Sequence, residues 1–404
     1  MEFQLSKYYD GESIHDVKNT WAKVTGDLLA ESNFGKEIQP DNFDESKDLS
    51  AIGDNENNDL NKARAIYYFV QNNFTCASHY HVFITTSLKD VIKKKSGGIG
   101  EINLLLVAML RKKEIHADPV LLSTREFGTN FSQYPILERL NYVICRAIIN
   151  GVIYYLDASR PFLGFGAIPQ DCYNGHARVI CQSDSVSVYF SPDSLKEKKI
   201  TTVFIMNDEK ASGSMSGTFS STLGNVESYN LREQVSDEKQ QDYFKSYKSN
   251  SDYTITNAAI DSLTQLDMPA TVHYDFAYKI SSDNDIIYFN PMFSEGYKEN
   301  PFKSAERKYP VEMPYVMDET YVFNMEIPNG YVVDEMPKSA KVSLNGTEGS
   351  FEYLIAKDDA SIQMRSRIKL NKATFEPDDY STLRDFFAAI VKKQSEQIVF
   401  KKKK

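Results

Sequence analysis

The chain has 404 residues, 41% hydrophobic and 25% charged, with a formal net charge of −10. That length exceeds one ordinary core and implies two or three domains of a globular protein. The acidic balance excludes a nucleic-acid partner, whose phosphates call for a clustered basic surface, and no apolar run approaches the roughly 18 residues that span a bilayer.

The segment Met1 to Lys7 has no basic stretch followed by an apolar one, so no signal peptide is read in this chain. Trp21, Val24, Leu28 and Leu29 fall at helical spacing and predict an amphipathic helix. A polar connector follows over 40–60, carrying Asp41, Asp44, Glu45, Asp48, Asp54 and Glu56. A second helix runs from about Leu60 to Asn72, with Ala63, Ile66, Tyr67 and Val70 as its buried face. The turn Gly97-Gly98-Ile99-Gly100 then leads into Glu101–Arg111, apolar nearly all round and therefore expected in a core. Glu101 and the pair Lys112-Lys113 suit the two ends of that helix's dipole.

Strands take over after the third helix. Val120–Ser123 is one, and residues 141–149 with 152–157 make a hairpin around Asn150-Gly151, a type I′ turn signal. With those two as turn residues, Ile149 pairs with Val152. Tyr142 and Asp157 then share a face as diagonal neighbours, while Asn141 points the other way. From about residue 186 short alternating strands dominate, among them Ile286–Phe289, Tyr321–Met325 and Ala340–Leu344 before Asn345-Gly346. The 25 Tyr and 24 Phe favour this β-rich reading. A late helix over Ser381–Lys393 turns Leu383, Phe386, Phe387 and Ile390 inward. The run Lys401–Lys404 reads as a solvated end.

The order of buried helix, strand, hairpin and Asp resembles the core of the transglutaminase-like superfamily, which shares its catalytic arrangement with papain. In that family a Gly-x-Cys turn opens the buried helix, a His opens a later strand and an Asp closes the next. Lys95–Ile102 with Val107–Arg111 look like the helix, Leu140–Ile144 like the His strand and Tyr155–Ser159 like the Asp strand. More specifically, the chain resembles Gram-negative envelope proteins in which this core sits between β-sandwich domains. The matched features are Ala117-Asp118-Pro119-Val120, Ile168-Pro169 with Asn174-Gly175, Asn300–Lys303, Arg307–Val311 and the Phe386-Phe387 helix.

The resemblance implies an α+β protein: a transglutaminase-like (papain-like) domain over 1–185, then a mostly antiparallel β-sandwich region over 186–404 with one C-terminal helix. Within the first, a helical segment 1–62 precedes a core 63–185. The second divides near 290–305. Relatives usually carry a leading β domain and an export signal, so a longer native product with both is expected, and a periplasmic or envelope location.

Such chemistry needs a thiolate, a base beside it and a group that holds the base. Counting back from Arg111, the nucleophile's place falls on Ile99. The base's place falls on Tyr142, a poor proton acceptor at neutral pH, and Asp157 alone is kept. Plain alternatives stand beside this. Ile99 is an ordinary core residue, Tyr142 donates to Asp157 as a structural hydrogen bond, and Asp157 ends a strand. Gly98, Gly100, Glu101 and Asn141 are candidates for lining a groove. The glycines lack the Lys-Ser/Thr pair of a phosphate loop.

Four cysteines, Cys76, Cys145, Cys172 and Cys181, are too few for a disulfide framework. Cys145 faces away from Tyr142 and Asp157, and Cys172 and Cys181 flank His176 as a disulfide or as inert thiols. Cys76, His79 and His81 lack a second ligand pair at zinc spacing, so no metal is expected. No cofactor is expected either. The leading expectation is a catalytically inactive protein- or peptide-binding, or assembly, module of the bacterial cell envelope, its oligomeric state open. The rival is a cysteine protease or acyltransferase using another nucleophile. The third is a structural envelope component without a pocket.

Overall fold

The computed structural model describes residues 7–16, 20–40, 47–182, 186–208, 214–235, 240–249, 253–279, 284–293 and 295–403. Asp41, Asp44 and Glu45 of the polar connector, and Lys404, lie outside them. Two units separate, Met1–Ser191 and Pro192–Lys404, and each has its own apolar core.

In the first unit a short hairpin, β1 (Lys7–Tyr9) and β2 (Ile14–Asp16), precedes helices α1 (Trp21–Ala30), α2 (Lys47–Ser50) and α3 (Asp59–Asn73). Strand β3 (Thr75–Ser78), helix α4 (Leu88–Lys94) and strand β4 (Ser96–Gly98) lead into α5 (Ile99–Lys112). The glycines before α5 are therefore not a free turn. They pair in parallel with β3, Cys76 opposite Gly97, because residues without Cβ let the two backbones run close beside the helix start. Every residue from Ile99 to Leu110 is buried, as an all-round apolar sequence requires.

Helix α5 packs on α3 and on β5 and β6, strands of a five-stranded antiparallel sheet ordered β7-β6-β5-β8-β9. These are β5 (His116–Leu122), β6 (Tyr142–Ile149), β7 (Val152–Leu156), β8 (Gly175–Val179) and β9 (Val186–Phe190). Asn150 and Gly151 take φ of 51° and 80°, the type I′ turn, and Ile149 pairs with Val152 through to Cys145 with Leu156. The far end of α5 is tied down by charge. Arg111 donates from Nε to the Ala117 carbonyl at 2.6 Å and pairs with Asp118 at 3.0 Å. Arg146 meets the other Asp118 oxygen at 2.6 Å.

The second unit is built on an eight-stranded sheet ordered β12-β13-β11-β10-β16-β20-β19-β18. Its strands are β10 (Lys196–Asn207), β11 (Ser214–Thr222), β12 (Thr254–Asp261), β13 (Thr271–Lys279), β16 (Val316–Glu326), β18 (Ala340–Leu344), β19 (Gly349–Lys357) and β20 (Ser361–Leu370). All neighbours are antiparallel except β10 and β16, which run parallel. Smaller pairings join β14 (Ile286–Phe289), β17 (Tyr331–Glu335) and β22 (Ile398–Lys402), and β15 (Val311–Glu312) with β21 (Thr374–Phe375). Helix α8 (Tyr380–Gln394) buries Leu383, Phe386, Phe387 and Ile390, the stripe read from their spacing.

Two further features depart from the sequence reading. Lys401 and Lys402 are exposed but not a free tail: β22 carries them opposite Ile286 and Tyr331. Helices α6 (Asn225–Gln234) and α7 (Gln240–Ser249) were not anticipated. The first buries little apolar surface, yet Arg232 donates to the carbonyls of Ser262, Leu263, Gln265 and Met268, and the Ser228 hydroxyl accepts from the Ala270 amide. Distant hydrogen bonds hold this helix, and its periodicity does not show them.

At Gly100 an added Cβ would lie 2.7 Å from the Val82 carbonyl oxygen, so even one methyl forces this backbone crossing apart. Gly100→Ala is expected to destabilise the first unit by about 1–3 kcal/mol. Urea unfolding checks this, and an unchanged midpoint would contradict the close approach.

Candidate functional site

Asp157 is fully buried at the end of β7. Its Oδ2 accepts from the Tyr142 hydroxyl at 2.8 Å. Its Oδ1 accepts from Asn103 Nδ2 at 2.8 Å, the Ser159 amide at 2.9 Å and the Ser159 hydroxyl at 2.6 Å. A buried carboxylate needs such donors, because desolvation otherwise makes its charge very costly. Asn103 joins three elements: its Nδ2 also donates to the Val143 carbonyl at 2.9 Å and its Oδ1 accepts from the Ala158 amide at 2.9 Å. Below them the Tyr67 hydroxyl donates to the carbonyls of Asp157 and Leu163.

Tyr142 is 1% exposed, and its hydroxyl also accepts from Arg160 Nε at 3.1 Å. Burial pushes this phenol well above its ordinary pKa, and the Asp157 charge adds to the rise. It is therefore a neutral donor with no basic function. Ile99, 0% exposed, opens α5 in one apolar cluster with Tyr142, Val120, Leu122, Ile144 and Cys172. The structure thus brings Ile99, Tyr142 and Asp157 together, sealed from solvent.

The four groove candidates fare differently. Gly98 is half-buried, and a Cβ there would meet Glu101 Oε2 at 2.8 Å. Gly100 lies under the Val82 backbone. Glu101 is buried and accepts from the Thr85 amide at 2.8 Å. Asn141 is buried with both side-chain atoms bonded to Thr124, accepting from its amide and donating to its hydroxyl, each at 2.9 Å. These groups are occupied by the protein itself.

All four cysteines are free thiols. Cys145 is fully buried and burial drives its thiol far up; Cys172 is driven up by burial and then by Asp171 and Asp157. Cys76 lies beside Gly97, and burial pushes its thiol up to about 11. Nearby, His79 is held below its usual pKa by burial and the Arg160 charge, and its enclosed Nε2 has no hydrogen-bond partner among the described residues. His81 is exposed. His176 packs its ring 5.6 Å from Trp21 and meets Asn130 at 3.2 Å. Among the described residues no three His, Cys, Asp or Glu side chains converge as a metal site requires. Asn103 and Arg160 are the site residues that sequence reasoning missed. Asn103 did leave a signal, as the one polar residue in the run Ile102–Leu110.

Residues 49–134 match the family model of the transglutaminase-like superfamily, and residues 285–400 match a domain of unknown function known from a solved structure, DUF3858. The chain thus has a transglutaminase-like domain followed by a β-rich region. A crystal structure of a "putative protease" from Parabacteroides distasonis superposes over 94% of this chain with a TM-score of 0.53 and 14% identity. At that identity the likeness is one of fold. The chain spans 58% of that protein's length. A comparison with curated proteins finds no match.

Tyr142→Phe is expected to cost about 1–3 kcal/mol, the desolvation of a buried oxygen left without its donor. Asn103→Leu should cost more, because it removes three bonds at once. Paired unfolding measurements check the order, and the reverse ranking would show that Asp157 is not the hub.

Proposed function

We propose that this chain is a transglutaminase-like protein without thiol catalysis, acting as a protein- or peptide-binding, or assembly, module of the bacterial cell envelope. The observation that carries this is Ile99 at the start of the buried helix, in one apolar cluster with Tyr142, whose hydroxyl is spent on Asp157. A helix N-terminus lowers the pKa of a cysteine, yet an isoleucine there has nothing to ionise. The groups that would line a groove are taken up internally, so contact with a partner falls to the outer surface. There Phe127, Phe131 and Tyr134 are 51%, 50% and 42% exposed on the segment between β5 and β6, and exposed aromatics suit a protein or peptide. The envelope assignment rests on the resemblance to envelope proteins.

The neighbour's description as a protease brings in the second reading, a cysteine protease or acyltransferase with a displaced nucleophile. Cys76 is the thiol it would use, since it adjoins Gly97 and feels both Asp157 and Arg160. A thiol pushed to about 11 holds little thiolate at neutral pH, which favours the inactive reading.

The purified protein is therefore expected to show no amidase, peptidase or amine-transfer activity. Turnover abolished by thiol alkylation, or by Cys76→Ser alone, would establish the second reading instead. Localisation is checked by fractionating native cells, with recovery only in the cytosol counting against the envelope role.

A gain-of-reactivity experiment tests the residue assignments. In Ile99→Cys alone the new thiol meets an apolar, buried setting, so its pKa should exceed the free value of about 8.5. Combined with Tyr142→His, an imidazole held by Asp157 should bring it below that value. Iodoacetamide alkylation against pH separates the two variants. Identical titrations would remove Tyr142 from the base's place.

A further inference from the structure

Trp21, the single tryptophan of the chain, carries helix α1 onto strand β8. Its indole Nε1 donates to the Ser132 carbonyl at 2.8 Å, its ring lies 5.6 Å from the His176 ring, and the Arg178 guanidinium stands 4.9 Å over it. Trp21 and His176 are each 6% exposed.

The polar atoms of this contact are poorly satisfied. His176 meets Asn130 through Nδ1 at 3.2 Å. Its Nε2, the Asn130 Oδ1 and the Oγ1 of Thr25, one turn after Trp21 on the same face of α1, are enclosed with no hydrogen-bond partner among the described residues. With the Asn130 amide donating to Nδ1, the neutral ring carries its one proton on Nε2. A second proton would go to Nδ1, against the Asn130 amide hydrogens, and would leave a charge buried.

Arg178 stands two residues along β8, on the same face as His176. Burial first, and the Arg178 charge second, hold the imidazole below its usual pKa. Among the described residues no carboxylate offsets them. On α1, Lys23 and Asp27 are exposed, and so are Glu126 and Glu138 between β5 and β6. In that segment Arg125 donates to the Tyr173 carbonyl and Arg139 lies over Phe131. On β5, Asp118 is taken by Arg111 and Arg146, and Asp171 lies beside Arg160. Tyr189, opposite His176 on β9, is largely exposed.

We infer that His176 is an acid-operated latch: when its ring takes a second proton, Trp21 leaves β8 and helix α1 undocks while the rest of the first unit stays folded. A histidine whose docked form resists protonation supports docking fully above the ordinary imidazole value of about 6.5, and that support is lost as the pH falls below it.

The test is Trp21 fluorescence of the full chain from about pH 8 to about pH 4.5, the interval in which an imidazole titrates, with far-UV circular dichroism alongside. The emission should shift to the red and become open to acrylamide with a midpoint below about 6.5, while the dichroism holds. His176→Gln, uncharged throughout, should lose the red shift. His79, also depressed by burial, remains in that variant, so the two histidines are separated. Asn130→Asp sets an anionic acceptor against Nδ1, so the protonated ring is held in place and the midpoint moves to lower pH. That variant decides the matter even where His176→Gln does not fold. Four outcomes would overturn the latch: emission that is constant or dims without a red shift, a red shift that survives His176→Gln, dichroism lost in step with the emission, or an Asn130→Asp midpoint that is unchanged or higher.

Discussion

A carboxylate taken wholly out of water has to be answered from inside the protein, and the first unit is arranged around that requirement. Asp157 receives donors from α5 through Asn103, from β6 through Tyr142 and from its own turn through Ser159. Each donor comes from a different element, so the helix, the hairpin and the turn cannot shift separately without stranding charge. Arg111 and Arg146 on Asp118 repeat the device at the other end of the helix. Between the two anchors, the apolar length of α5 supplies the burial.

The same arrangement determines what chemistry is left. Proton transfer calls for a group that changes charge near neutral pH. Around Asp157 the phenol and the thiols of Cys76 and Cys172 are driven up by burial, and His79 is driven down. Every shift favours the neutral form. At these groups desolvation outweighs the neighbouring charges, and neutral side chains pack more readily in a buried setting. In the second unit burial likewise raises a carboxyl, that of Glu319, to about 6 against the opposing charge of Lys199.

Much of this was legible in the sequence where a local rule determines geometry. Asn150-Gly151 dictates the turn, and the turn dictates the register. An apolar run with no polar face has to be a core helix, and α5 is one. Other parts depended on partners far away in the chain. Helix α6 is held by an arginine reaching 30 to 36 residues onward, which no periodicity reveals. The glycines before α5 looked like a turn because Gly permits one, and only the neighbouring β3 makes them a strand. Asn103 was read as part of an apolar helix, since a single amide does not break a pattern. Its importance lies in what it faces.

Strand β22 is the middle member of its small sheet, between β14 and β17. Its partners are made well before it: Phe289 waits for Ile398, and Tyr331 for Lys402. During synthesis these edges stay unpaired until residues 398–402 have left the ribosome, and closing so long a loop is slow. Chain elongation proceeds at roughly 5–20 residues per second, so the second unit passes through an interval with open strand edges. A chaperone that shields extended segments would act in that interval, and a stop codon placed shortly before residue 398 would make it permanent.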